Sequence, residues 1–102
     1  KVGLLSNNST EQGQIMRQQD LERHFDVFHI SAETGFVKPE PRAFQHFADD
    51  LGIALPELVF VDDTEESFPA TTDTDLTTVL YQNFRGLIQK LTSLGILKAW
   101  PV

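Results

Sequence analysis

Apolar residues in this chain fall into two patterns. Short continuous runs of four or five alternate with longer stretches in which apolar positions recur at helical spacing. Val2-Gly3-Leu4-Leu5, Val27-Phe28-His29-Ile30, Leu58-Val59-Phe60-Val61 and the β-branched segment Thr77 to Tyr81 make up the first pattern. Because they are continuously apolar rather than alternating, they predict strands covered on both faces. The clearest helix lies between the second and third runs. Phe44, Phe47, Ala48 and Leu51 stand at i, i+3, i+4 and i+7, Pro41 suits the first turn, and Gly52 suits the carboxyl cap. Phe84, Leu87, Ile88, Leu91 and Leu94 repeat the motif before Gly95. A further helix is predicted from about Thr10 to Arg23. Ser9 and Gln12 match a capping box there, although the stripe of Ile15, Met16 and Leu21 is thin. Between the last two strands, Glu65 to Thr74 should be helical by position, but Pro69 and the threonines make it a poor helix.

Read in order, these elements give βαβαβαβα. That order predicts an α/β fold: a three-layer, Rossmann-like parallel sheet with helices on both faces, as one domain over residues 1–102.

Composition narrows the partners. Lys and Arg number 8 against 15 Asp and Glu, for a formal net charge of −7. No basic stripe is available to neutralise phosphates, so no nucleic-acid partner is expected, and an acidic surface does not favour anionic membranes. There are no cysteines, which excludes disulfides and thiolate metal sites and is compatible with a reducing compartment. With no apolar leader at the start and no long apolar span, the expectation is a cytoplasmic protein. Lys1 is followed at once by a strand-like run, which reads as a chain that begins inside something larger.

In an open parallel sheet, ligands bind beyond the carboxyl ends of the strands. Ser6 and Asn7 follow the first strand, Lys38 lies in the long loop after the second, and Asp62 and Asp63 follow the third. A hydroxyl, an amide, a cation and an acid pair on one sheet edge suit a phosphate and a hard cation such as Mg²⁺, which takes oxygen ligands. Adjacent carboxylates repel unless a cation or water offsets them, so the acid pair asks for a partner. His24, His29 and His46 show no metal-ligand spacing, and His29 reads as a hydrogen-bonded structural histidine.

The stretches SNNS, GFVKPEPRAF and VFVDDTEES resemble the second, third and fourth motifs of the haloacid dehalogenase-like (HAD) hydrolase superfamily over about residues 2 to 95. The resemblance implies that Ser6 hydrogen-bonds a transferring phosphoryl group with support from Asn7, that Lys38 neutralises charge there, and that Asp62 and Asp63 hold Mg²⁺. It favours the magnesium-dependent phosphatases over the metal-independent dehalogenases, with a small phosphate ester as substrate. It also implies a first motif, Asp-x-Asp, on a central strand between those ending in Ser6 and Asp62. That motif supplies an aspartyl nucleophile and a general acid/base. Neither that strand nor the family's cap insertion is found in these residues. Asp73-Thr74-Asp75 precedes a strand instead of following one, Ser67 stands where many relatives carry Asn or Asp, and Asp75 where they often carry glycine.

The expectation is therefore an incomplete HAD-like core. By itself it should be inactive, and it should associate with the missing N-terminal segment or with another copy of itself. Two alternatives stand beside this one. The first is a non-catalytic binding protein derived from the same fold. The second is a phosphoacceptor receiver domain, disfavoured because Asp26 precedes its strand.

Overall fold

The computed structural model describes residues 1–70 and 74–98. The four apolar runs form four short strands: β1 (Gly3–Ser6), β2 (Val27–Ile30), β3 (Val59–Asp62) and β4 (Thr77–Leu80). All pairing is parallel. β1 pairs with β2, Leu5 opposite His29 and Ser6 opposite Ile30, and β3 pairs with β4, Asp62 opposite Leu80. These are two separate two-stranded sheets, and β1 and β3 do not pair with each other. Between them lies a cavity of about 640 Å³, lined by residues of both strands and by Phe47, Leu51 and Leu91.

The helices follow from local sequence. Helix α1 (Thr10–Gln18) starts where the Ser9 hydroxyl accepts from the Gln12 amide at 3.2 Å. It ends well short of the expected Arg23. Asp20 adopts a left-handed conformation (φ 62°), and Glu22–His24 form a single 3₁₀ turn. The physical reason is the thin stripe: α1 buries only Gly13, so little apolar packing opposes the break. A short helix α2 (Ser31–Thr34) occupies the start of the expected long loop and closes on left-handed Gly35. Helix α3 (Pro41–Leu51) runs as its pattern predicts, with Pro41 in its first turn and Gly52 left-handed at its end (φ 74°). Helix α4 (Phe84–Ser93) is capped by the Asn83 side chain, which accepts from the Gly86 amide at 2.8 Å. The segment expected to be helical after β3 holds only a 3₁₀ turn at Glu65–Ser67, before Pro69, and residues 71–73 lie outside the described ones.

Helices cover both faces of the first sheet. Adjacent strand residues point to opposite faces. Ile30 meets α1 at Gly13, where an added Cβ would stand 3.2 Å from Ile30 Cγ1, while His29 meets Phe47 of α3. The main apolar core gathers Leu5 of β1, Leu58 just before β3, Phe60 of β3, and Ala43, Phe44, Phe47, Ala48 and Leu51 of α3. Helix α3 therefore packs against both sheets at once. Among the described residues no helix is long and apolar enough to cross a membrane.

Phe44 is fully buried, with its ring 5.0 Å from that of Phe60 in an edge-on contact. Truncating a buried Phe to Ala costs about 3–5 kcal/mol, a large part of the whole stability of a domain this size. Phe44→Ala should lower the urea midpoint by that equivalent, and the exposed Gln14→Ala should leave it nearly unchanged.

Candidate active site

The predicted site residues lie at the ends of elements that the chain holds far apart in sequence. Ser6 is the last residue of β1, and its hydroxyl accepts from Asn8 Nδ2 at 2.7 Å. Asn8 is itself tied to the start of α2, because its amide donates to Ser31 Oγ at 3.0 Å and its carbonyl accepts from that hydroxyl at 3.1 Å. Asn7 clasps the backbone of Lys38 at two points: its Nδ2 donates to the Lys38 carbonyl and its Oδ1 accepts from the Lys38 amide, both at 3.0 Å. The loop is shaped further by Thr34, whose hydroxyl accepts from the Phe36 amide at 3.2 Å, and by a cis Lys38–Pro39 bond.

From this clasp the Lys38 side chain reaches across to β3. Its Nζ donates to Asp62 Oδ2 at 2.8 Å and lies 5.4 Å from the centre of the Phe60 ring. Both side chains are well covered, at 8% and 14% exposed. Asp62 is the last residue of β3, one position inside the strand compared with the sequence expectation. Its other oxygen, Oδ1, accepts from the Thr64 amide at 3.0 Å, and Asp63 Oδ1 accepts from the Thr64 hydroxyl at 3.2 Å. The adjacent acids thus differ in environment. Asp62 is half-buried and paired with a lysine, whereas Asp63 is exposed.

Asn7, Lys38 and Asp62 form one linked series joining the carboxyl ends of β1 and β3. The structure brings these three together and sets Asp63 beside them, while Ser6 is held on the β1 side by Asn8. Two relations were invisible in sequence. One is that the Asn7 side chain holds Lys38 by its backbone, across 31 residues; the other is that the countercharge to Asp62 is Lys38, across 24. No local spacing signals either contact.

The arrangement can bind an anion and a hard cation at one edge. Asp62 and Asp63 are adjacent oxygen donors, and Mg²⁺ commonly takes only one or two carboxylates with water completing its shell. The donor set therefore fits a magnesium ion, with Asp63 the more accessible carboxylate.

Burial pushes the Asp62 carboxyl up, but the Lys38 ammonium and the Thr64 amide together outweigh it. They hold its pKa below the ordinary aspartate range. A depressed folded-state pKa contributes stability above the unfolded carboxyl range, and that stability is lost as pH falls through the folded value. Carboxyl-carbon NMR across an acid titration should show Asp62 of the wild type titrating below ordinary aspartate. In Lys38→Met, which removes the ammonium and keeps the Thr64 amide, it should titrate above the wild-type position.

The profile described as haloacid dehalogenase-like hydrolase matches residues 1–71. Phosphatase MT3486 of Mycobacterium tuberculosis (strain CDC 1551 / Oshkosh) is 31% identical over 101 residues, which are 93% of this chain and 46% of that protein. Bifunctional epoxide hydrolase 2 of Mus musculus is 31% identical over 72 residues, 71% of this chain and 13% of that protein. The chain thus spans less than half the length of either. Among solved structures, an uncharacterized protein from Corynebacterium glutamicum ATCC 13032 Kitasato superposes with a TM-score of 0.72 at 26% identity, covering 96% of this chain and 73% of that one. A HAD-superfamily hydrolase of subfamily IA from Geobacter sulfurreducens PCA superposes at 0.65 and 24% identity, over 78% and 38%, and shares the fold. With the three motifs gathered where β1 and β3 end and a family match over residues 1–71, the chain belongs to the haloacid dehalogenase-like hydrolase family.

Proposed function

We propose that this chain is the phosphate- and metal-facing part of a Mg²⁺-dependent phosphohydrolase acting on small phosphate esters. The observation that carries this reading is the part-buried Lys38–Asp62 pair, held by the Asn7 clasp beside the exposed Asp63. A lysine fixed in this way holds its ammonium at a defined point between the carboxyl ends of β1 and β3. The Ser6 hydroxyl and the Asn7–Asn8 turn end the neighbouring strand. Preorganised donors of this kind stabilise the charge of a transferring phosphoryl group, because they need not reorganise as it develops. Asp62 and Asp63 would hold Mg²⁺, which when bound supplies Lewis-acid neutralisation of phosphoryl oxygens. The likeness to a protein named as a phosphatase supports the same reaction class.

The nucleophile belongs to the first family motif. Among the described strands, the carboxyl-terminal residues are Ser6, Ile30, Asp62 and Leu80, and none begins an Asp-x-Asp. In our reading, a strand supplied from outside these 102 residues enters the cavity between β1 and β3 and pairs with both edges. Its first Asp attacks phosphorus as the ester P–O bond breaks, giving an aspartyl-phosphate; its second protonates the departing alcohol and then takes a proton from the water that releases inorganic phosphate and regenerates the Asp.

A protein that carries this segment upstream of Lys1 should hydrolyse an aryl phosphate with Mg²⁺. Lys38→Ala and Asp63→Ala should each lower kcat/KM by about 100-fold or more, the scale of losing one preorganised charge-stabilising group. The 102 residues alone should show no turnover, and Mg²⁺-dependent hydrolysis by them that Asp62→Ala abolishes would overturn this part of the reading. Titration calorimetry provides an independent check. Mg²⁺ binding should weaken in Asp63→Ala, and equal binding by the variant and the wild type would remove the acid pair from the metal site.

A further inference from the structure

On the face of the first sheet that packs against α3, three potential metal ligands converge away from the acid pair. His29 of β2 is buried, 6% exposed, and its Nε2 lies 2.7 Å from Asp50 Oδ2. His46 and Asp50 stand one helical turn apart on α3, and His46 Nε2 lies 3.8 Å from the same carboxylate oxygen. One ligand atom from each of the three residues falls within 4.8 Å of the other two. A hydrogen-bonded structural histidine, as the sequence suggested for His29, needs only Asp50. It does not account for a second imidazole aimed at the same oxygen beyond hydrogen-bonding distance.

We propose that His29, His46 and Asp50 form a transition-metal site, suited to an ion of the zinc class and separate from the Asp62–Asp63 edge. Two imidazoles and one carboxylate are a borderline donor set, which favours zinc and its neighbours over magnesium or calcium. With metal–ligand bonds of about 2.1 Å, the edge of a tetrahedral site is about 3.4 Å. The observed separations of 2.7 and 3.8 Å bracket that length. All three ligand atoms lie within 4.8 Å of one another, so the half-exposed His46 and Asp50 side chains must turn inward to close the shell.

The rings are already constrained. The two imidazoles stack at 4.8 Å and 21°, Phe47 meets His29 edge-on at 5.4 Å, and Phe36 packs against His46 at 4.9 Å. The site is closed below by the buried His29 and open above, since the Asp50 and His46 side chains are 48% and 38% exposed. That opening gives an ion a path in and leaves a coordination position for water or a further ligand. The Phe36 contact connects the cluster to the loop that carries Lys38.

The test is titration of the protein with Zn²⁺, and with Co²⁺ as a spectroscopic substitute, in a large excess of Mg²⁺ to occupy the oxygen-only carboxylate edge. We expect one equivalent of Zn²⁺ to bind. Co²⁺ should give visible ligand-field absorption and paramagnetic broadening of the His29 and His46 imidazole resonances. Asp50→Asn, which preserves an acceptor for His29, and His46→Ala should each weaken Zn²⁺ binding by more than about tenfold, the loss typical even of groups one step removed from a metal. Asp63→Ala should leave it unchanged. Absence of Zn²⁺ binding under these conditions overturns the proposal. So does binding that Asp50→Asn and His46→Ala leave intact while both variants keep the wild-type melting temperature.

Discussion

The structure depends on one helix that holds two half-sheets together. Among the described residues β1 pairs only with β2 and β3 only with β4, so no strand hydrogen bond joins the two halves there. What does join them is the apolar face of α3, where Phe44, Phe47, Ala48 and Leu51 pack with Leu5 on one side and with Leu58 and Phe60 on the other. Hydrophobic burial is not directional, so one stripe can serve two sheets, whereas strand pairing needs matched edges. The result is a core continuous in side chains and interrupted in backbone. Among the described residues the outer edges of β1 and β3 have no strand partner, and both strands line one cavity.

The polar site repeats this bridging on a smaller scale. Asn7, at the end of β1, holds the loop backbone at Lys38, and the Lys38 side chain reaches Asp62 at the end of β3. Covering both charges costs desolvation, which only a close pair with further hydrogen bonds repays. Here the Thr64 amide and the face of the Phe60 ring supply that company. The adjacent acids of VFVDDTEES are thereby made unequal. Lysine neutralises the first, and the second faces solvent. Two neighbouring like charges are tolerable when one is already balanced and the other is hydrated.

The strands, helix α3 and its caps were legible because they rest on local physics. Continuous apolar runs, the i, i+3, i+4, i+7 face, Pro41 and Gly52 each act within a few residues. The early end of α1 was not legible, since a capping box starts a helix but cannot say how far thin packing will carry it. Nor was the short helix at Ser31–Thr34, whose first residue, Ser31, is fixed by contact with Asn8 in the loop after β1. The strand-end residues Ser6, Asn7, Lys38, Asp62 and Asp63 could be nominated from topology, because parallel strands deliver their carboxyl ends to one edge.

By itself, then, the sequence determined the element order, the parallel α/β class, the apolar face of α3 and the small set of polar residues at the strand ends. Each is encoded in neighbours along the chain. Only the tertiary structure decided that Lys38 pairs with Asp62, that Asn7 supports it by the backbone, that His29 meets His46 and Asp50, and that a cavity rather than a ladder separates β1 from β3. These are contacts between residues distant in sequence. Geometry sets them when α3 closes over both sheets, and no periodicity records them.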